Sequence, residues 1–194
     1  VTDLVDEEKL RRSIEEHMEN AEESIRKHER ENALMEFDMA AAKLDAAGKT
    51  NQLEQLWAHA AAGFTAAEAP RQAAASYLHL AELEVKAGRQ TEGRDSYLSA
   101  ANSLFAVREK KPELWTTMIQ ALEHAIDLSL ALEEISLAIE LLYKTAIIQY
   151  RETGFTLDAI YSLERAQQLL EQVPNHPLVQ DINEKLQELV NHQT

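Results

Sequence analysis

No cysteine occurs in the 194 residues, which excludes a disulfide framework, a thiolate nucleophile and a zinc–thiolate site. Only five glycines and four prolines punctuate the chain, and no segment alternates β-branched or aromatic residues with polar ones over the length of a strand, so a sheet protein is excluded. No apolar run approaches the ~20 residues that span a bilayer. The opening VTDLVDEEKL lacks the charged-then-apolar order of a secretory leader. Direct membrane insertion is therefore not expected, and a cytoplasmic location is. Positive charge is in deficit as well: 19 Lys and Arg stand against 34 Asp and Glu, a net charge of −15. Nucleic acid is an unsuitable partner, because phosphate binding needs a Lys/Arg surface that releases counterions. An anionic membrane surface is disfavoured for the same reason. A well-solvated acidic surface accounts for the charge more simply than a dedicated site for a basic partner.

What the chain does have is Ala, Leu, Glu and Gln, the composition of helices with short connections. Phe37, Trp57, Tyr77 and Tyr97 fall twenty residues apart, and Ala40, Ala60 and Ala100 follow three of them at a spacing of three. Twenty residues make one helix plus a short turn, so two periods make the roughly forty-residue helical hairpin of an α-solenoid. Gly48 and Gly88 are forty apart, inside the matching pieces Ala-Ala-Gly-Lys and Lys-Ala-Gly-Arg, and give the same register. Alanines let helices approach closely while each aromatic fills the wider gap between hairpins, so the aromatics are read as core rather than as a ligand cage.

These signals predict an all-α fold of about nine helices in a single domain, 1–194. A charged N-terminal helix occupies 1–31, repeat hairpins 32–172, and a capping helix 173–194. Residues 6–31 carry ten acidic and six basic side chains. Ile14, Met18, Ala21 and Ile25 step by four, three and four through them, a narrow apolar seam on one face. The preferred reading is a solvated first helix packed by one edge. The alternative makes the four residues a partner-binding strip, meeting another protein or a second copy in a homodimer.

Pro70 and Pro112 are placed to open helices, and Gly48, Gly88 and Gly154 to end them. One helix is expected from Thr91 to about Glu109. The twenty-residue step lapses after Tyr97, whose counterpart is Tyr143, through either a longer helix or an insertion near Glu133 and Glu134. Leu178, Ile182, Leu186 and Leu189 are the inward positions of the last helix.

Chemistry is poorly represented. The histidines at 17, 28, 59, 79, 124, 176 and 192 form neither His-x-x-x-His nor Glu-x-x-His, the spacings that put ligands on one helical face. His59 and His79 each follow their aromatic by two residues and read as equivalent repeat positions. Ala47-Gly48-Lys49-Thr50 echoes a phosphate-binding loop, yet Lys43 stands where its first glycine belongs and no strand precedes it. No Gly-x-Ser-x-Gly elbow is present. Glu82, Glu84, Glu133 and Glu134 are expected on solvated helix faces. No catalytic residue, cofactor or metal is therefore assigned.

The stretch LEQLWAHAAAGFTAAEAPRQAAASYLHLAELEVKAGRQTEGRDSYLSAANSLF resembles the soluble NSF attachment proteins, whose helices carry comparable Ala-Ala-x-x-Phe patterns at nearly forty-residue spacing. More broadly, the chain from about 32 to 172 is similar to the tetratricopeptide-like superfamily. The resemblance implies a right-handed superhelix of antiparallel hairpins and a non-enzymatic scaffold or adaptor, in vesicle trafficking or another multiprotein complex. Its partner would be a protein presenting a helix or an extended segment. Attachment proteins grip a SNARE bundle with basic residues and touch membrane through an apolar N-terminal loop. This chain shows neither a basic stripe nor such a loop, so no functional residue is carried over. The alternative function is a helical-repeat regulator that binds a peptide or small ligand.

Overall fold

The computed structural model describes residues 2–108 and 111–192, with side chains from residue 6 onward. Among these residues the chain forms nine α-helices and no strand. Its contacts divide it into two compact units, Val1–Gly88 and Arg89–Thr194. The first holds α1 (Thr2–Arg26), α2 (Arg30–Ala46), α3 (Thr50–Ala66) and α4 (Pro70–Lys86). The second holds α5 (Gln90–Phe105), α6 (Pro112–Ala131), α7 (Ile135–Ile148), α8 (Thr156–Leu170) and α9 (Val179–Asn191). Within each unit every helix packs chiefly on its neighbours in sequence. Connections as short as 47–49 leave the chain no length to do anything but reverse, so neighbours run antiparallel, as in a helical-hairpin solenoid.

The turns explain the period. Positive φ occurs at His28 (61°), Gly48 (65°), Glu68 (51°) and Gly88 (79°), every twentieth residue. At each of the first three, two backbone N–H groups reach back into the helix just ended. Gly48 N donates to Asp45 O at 2.9 Å and Lys49 N to Leu44 O at 2.9 Å. His28 N to Ile25 O and Glu29 N to Ser24 O repeat the pair, as do Glu68 N to Thr65 O and Ala69 N to Phe64 O. This is the Schellman closure, which satisfies carbonyls that a helix end otherwise leaves orphaned. Glycine adopts its left-handed residue without a Cβ penalty; His28 and Glu68 occupy it with one.

The first of these turns corrects the expected N-terminal boundary. The charged segment is not one helix to residue 31, because α1 stops at Arg26 and α2 begins at Arg30. No glycine announced this break. Further on, α5 ends at Phe105; Glu109, its expected limit, lies outside the described residues. The lapse after Tyr97 has two sources. Six residues separate α5 from α6 where three separate each earlier pair of helices, and α6 runs 20 residues where α2, α3 and α4 each run 17.

Phe37 (0% exposed), Trp57 (4%) and Tyr97 (7%) lie in the core, and Tyr77 is half-buried against it. The alanines take the tight positions: Ala33, Ala40 and Ala60, and likewise Ala100, Ala101, Ala125 and Ala138, have no exposed surface. In α9, Ile182 and Leu189 are fully buried and Leu186 is half-buried, as is Leu178 immediately before the helix.

Relief of the left-handed conformation at His28 and Glu68, two of the three non-glycine residues that adopt it among the described residues (the third is Glu133, φ 59°), gives a direct test. Glu68→Gly and His28→Gly are each expected to stabilise the chain by about 0.5–1 kcal/mol, while Gly48→Ala destabilises it by about 1 kcal/mol. Urea denaturation midpoints followed by circular dichroism check the signs; a loss of stability in Glu68→Gly would remove the strain argument.

Candidate functional site

The first unit contains a cleft of about 670 Å³ with walls from α1 and α3 and the end of α2. Its origin is a wedge. Toward the C-terminal ends α1 and α3 meet closely: a Cβ placed at Gly63 would lie 3.3 Å from Ile25 Cδ1, so the absent side chain admits Ile25. Toward the N-terminal ends only side chains bridge the gap. Leu10, Ile14, Met18, Leu44 and Leu56 supply the apolar surface, and Glu7, Glu8, Arg11, Glu15, Lys49, Gln52, Gln55 and His59 the polar edge.

The charges of that edge are largely satisfied among themselves. Lys49 Nζ donates to Glu7 Oε1 at 2.7 Å, tying the α2–α3 turn to α1. Arg11 donates to both oxygens of Glu8, at 2.8 and 3.0 Å, and to Glu15 at 2.6 Å. Hydrogen bonds from Arg11 and then Arg12 hold the Glu8 carboxyl down at about 2. Glu7 is lowered by the Lys49 hydrogen bond and then by the Lys49 charge. At the far end His59 Nε2 and Glu22 Oε1 are 3.0 Å apart. On the α2 side of α1, His17 Nδ1 lies 2.7 Å from Glu36 Oε2, both largely buried.

The four seam residues separate here. Ala21 is fully buried, and Ile14, Met18 and Ile25 pack against the same core, so the seam is covered by the chain's own helices rather than displayed as a strip. Ile14 and Met18 also line the cleft; Ala21 and Ile25 instead anchor α1. A seam read on one helix carries no information about which neighbour occupies it.

The histidines have specific neighbours. His79 stacks on Trp57 with ring centroids 4.4 Å apart, His124 on Tyr97 at 4.8 Å, and His59 meets Phe37 edge-on at 6.2 Å. Each ring pairs with a histidine of the following helix, which makes the equivalence of His59 and His79 a packing relation. Among the described residues no group of three His, Asp or Glu side chains could hold a metal ion. Two carboxylates depart from expectation: Glu84 is buried, and Glu134 pairs with the buried Arg94. Burial of that guanidinium demands a counter-charge, which residues forty apart in sequence could not reveal. Gly48 and Lys49 belong to a helix-ending turn. No described helix is long and apolar enough to cross a membrane.

A family model described as soluble NSF attachment protein matches residues 45–194, which takes in α3 onward and leaves α1 outside. Among solved structures, the DHF58 filament is similar at 15% identity, over 95% of this chain and 90% of that one, with a TM-score of 0.24; a similarity this loose carries no argument. No curated protein matches the chain.

The pairing across the cleft is testable by titration. Because the Glu7 carboxyl titrates below its usual value of 4.5, its contribution is present above that pH and is lost as pH falls through the lowered value. Lys49→Met should return the Glu7 midpoint upward toward 4.5 and leave Glu8 near about 2. Carbon-detected NMR of the side-chain carboxyls reads both; an unmoved Glu7 midpoint would show that Lys49 is not its partner.

Proposed function

We propose that this chain, which belongs to the soluble NSF attachment protein family, is a non-enzymatic adaptor of vesicle traffic that works in the cytoplasm and holds a segment of another protein. The observation that supports this most is the cleft between α1 and α3, an apolar floor inside a rim whose charges are already paired. An uncharged apolar surface enters such a site without stranding a buried charge. Along α1 the lining runs from Glu7 to Met18, about 17 Å at the helical rise, which accommodates roughly three turns of an amphipathic helix laid in the groove. Ile14 and Met18 are the α1 side chains that would meet it. A homodimer through the whole seam would require α1 to leave its neighbours, because Ala21 is fully buried.

One observation favours the second reading, a regulator that binds a small ligand: the cleft volume of about 670 Å³ falls within the range of small-molecule sites. One substitution addresses both. Gln55 is exposed and lines the cleft, so Gln55→Trp should fill the space without disturbing the core. With a photo-crosslinking residue at Gln52, the chain is expected to capture a polypeptide from cell extract, and Gln55→Trp to reduce the capture about tenfold. Equal capture by both forms rejects the adaptor reading of the cleft. A small molecule retained in native mass spectrometry and lost in Gln55→Trp would establish the second reading instead.

A further inference from the structure

In the second unit, large apolar side chains are exposed together. Leu157 (71%), Tyr161 (62%) and Phe155 (54%) are among the most exposed large apolar residues described, and they fall within one short stretch of chain. Leu157 and Tyr161 are one turn apart on α8, and Glu164 and Gln168 continue their stripe. All four are exposed, while Ala159, Ser162, Leu163, Ala166 and Leu170 bury the opposite stripe. Surface apolar residues scattered singly need no explanation, but a contiguous set marks an interaction site.

The frame behind them is rigid. Residues Gln149–Thr153 form a π-helical turn closed by Gly154 at φ 72°, a rare geometry concentrated at functional sites. The Gln149 carbonyl accepts from Phe155 N at 2.9 Å and from the Thr153 hydroxyl at 2.7 Å. Its side-chain oxygen accepts from the buried Ser162 hydroxyl at 2.9 Å. The turn is thereby locked to α8, and the start of the exposed stripe is held in place.

Charge selects the occupant. Glu152, Asp158 and Glu164 are exposed, and none has a hydrogen-bond or ion-pair partner among the described residues. The one cation of α8, Arg165, is already engaged: it donates to Glu123 at 3.0 Å, lies 3.6 Å from Asp127, and sits 5.8 Å from the Tyr161 ring centroid. An acidic or wholly apolar partner would desolvate three unpaired carboxylates without compensation. An anionic membrane is repelled by the same groups. We infer that this face of α8 docks a basic amphipathic helix of a partner protein. Its apolar side chains lie on Phe155, Leu157 and Tyr161, and its Lys or Arg side chains reach Glu152, Asp158 and Glu164. The face shares no residue with the α1–α3 cleft, so either assignment can fail without the other.

The probe is a fluorescently labelled helical peptide of about eighteen residues, with leucines on one stripe and lysines flanking it, titrated with the full chain by anisotropy at roughly 50 and 300 mM salt. Leu157→Ser with Tyr161→Ser is expected to weaken binding about tenfold or more. Asp158→Asn with Glu164→Gln should weaken it about fivefold at low salt and flatten its salt dependence. All four residues are exposed, and unchanged circular dichroism confirms folding. Glu16→Gln with Glu19→Gln removes the same charge from an exposed face of α1 and should leave affinity unchanged. The inference is overturned if the α1 pair weakens binding as much as the α8 pair, if the α8 variants bind like the parent, or if a peptide with glutamates in place of lysines binds equally well. Binding of the parent to phosphatidylserine vesicles in preference to the peptide would overturn it too.

Discussion

The left-handed turn that closes a helix every twentieth residue is the constraint from which the rest follows. At His28, Gly48 and Glu68 the closure uses two backbone hydrogen bonds to end a helix and aim the chain back along it, and with Gly88 at the next step α2, α3 and α4 come out at 17 residues each. Equal helices place equivalent residues at equivalent heights. The alanines can then repeat at the close approaches and the aromatics at the wide ones, and Phe37, Trp57 and Tyr97 each meet a histidine of the following helix. Where the closure is replaced by the longer connection 106–111, the step is lost and α6 grows to 20 residues.

Both proposed binding surfaces lie where this regularity is relaxed. The α1–α3 cleft exists because the two helices converge at Gly63 and diverge beyond it, leaving side-chain bridges to span the gap. The α8 face begins at the π-helical turn, which shifts the helical register and ends α7 at Ile148. In both places the regular hairpin leaves apolar surface that the chain does not cover itself. The electrostatics differ. The cleft has paired its own charges and suits an uncharged apolar surface, whereas the α8 carboxylates have no ion-pair partner among the described residues, which is why a basic partner is proposed there.

Much of the fold was legible in the chain. The aromatic step, Gly48, Gly88, Pro70 and Pro112 locate most helix boundaries through local chemistry: a proline tolerated in a first turn, a glycine free to turn left-handed. The turns at His28 and Glu68 were not, because those residues occupy the left-handed region against their own preference and leave no compositional mark. Extending the twenty-residue step from Gly48 in both directions reaches them. Leu157 and Tyr161 gave no warning of exposure either, since an apolar pair one turn apart reads as core in any helix.

The sequence by itself determined the class of fold, the period, and the absence of thiol chemistry and of a basic surface, since these depend on composition and on contacts a few residues apart. Tertiary structure decided which surfaces were spent and which were left. It turned Ala21 inward and left Ile14 and Met18 at a cleft, buried Arg94 against Glu134, and exposed Phe155, Leu157 and Tyr161 beside unpaired carboxylates. Those outcomes depend on which helix lies against which, a relation between residues far apart in sequence that no local pattern encodes.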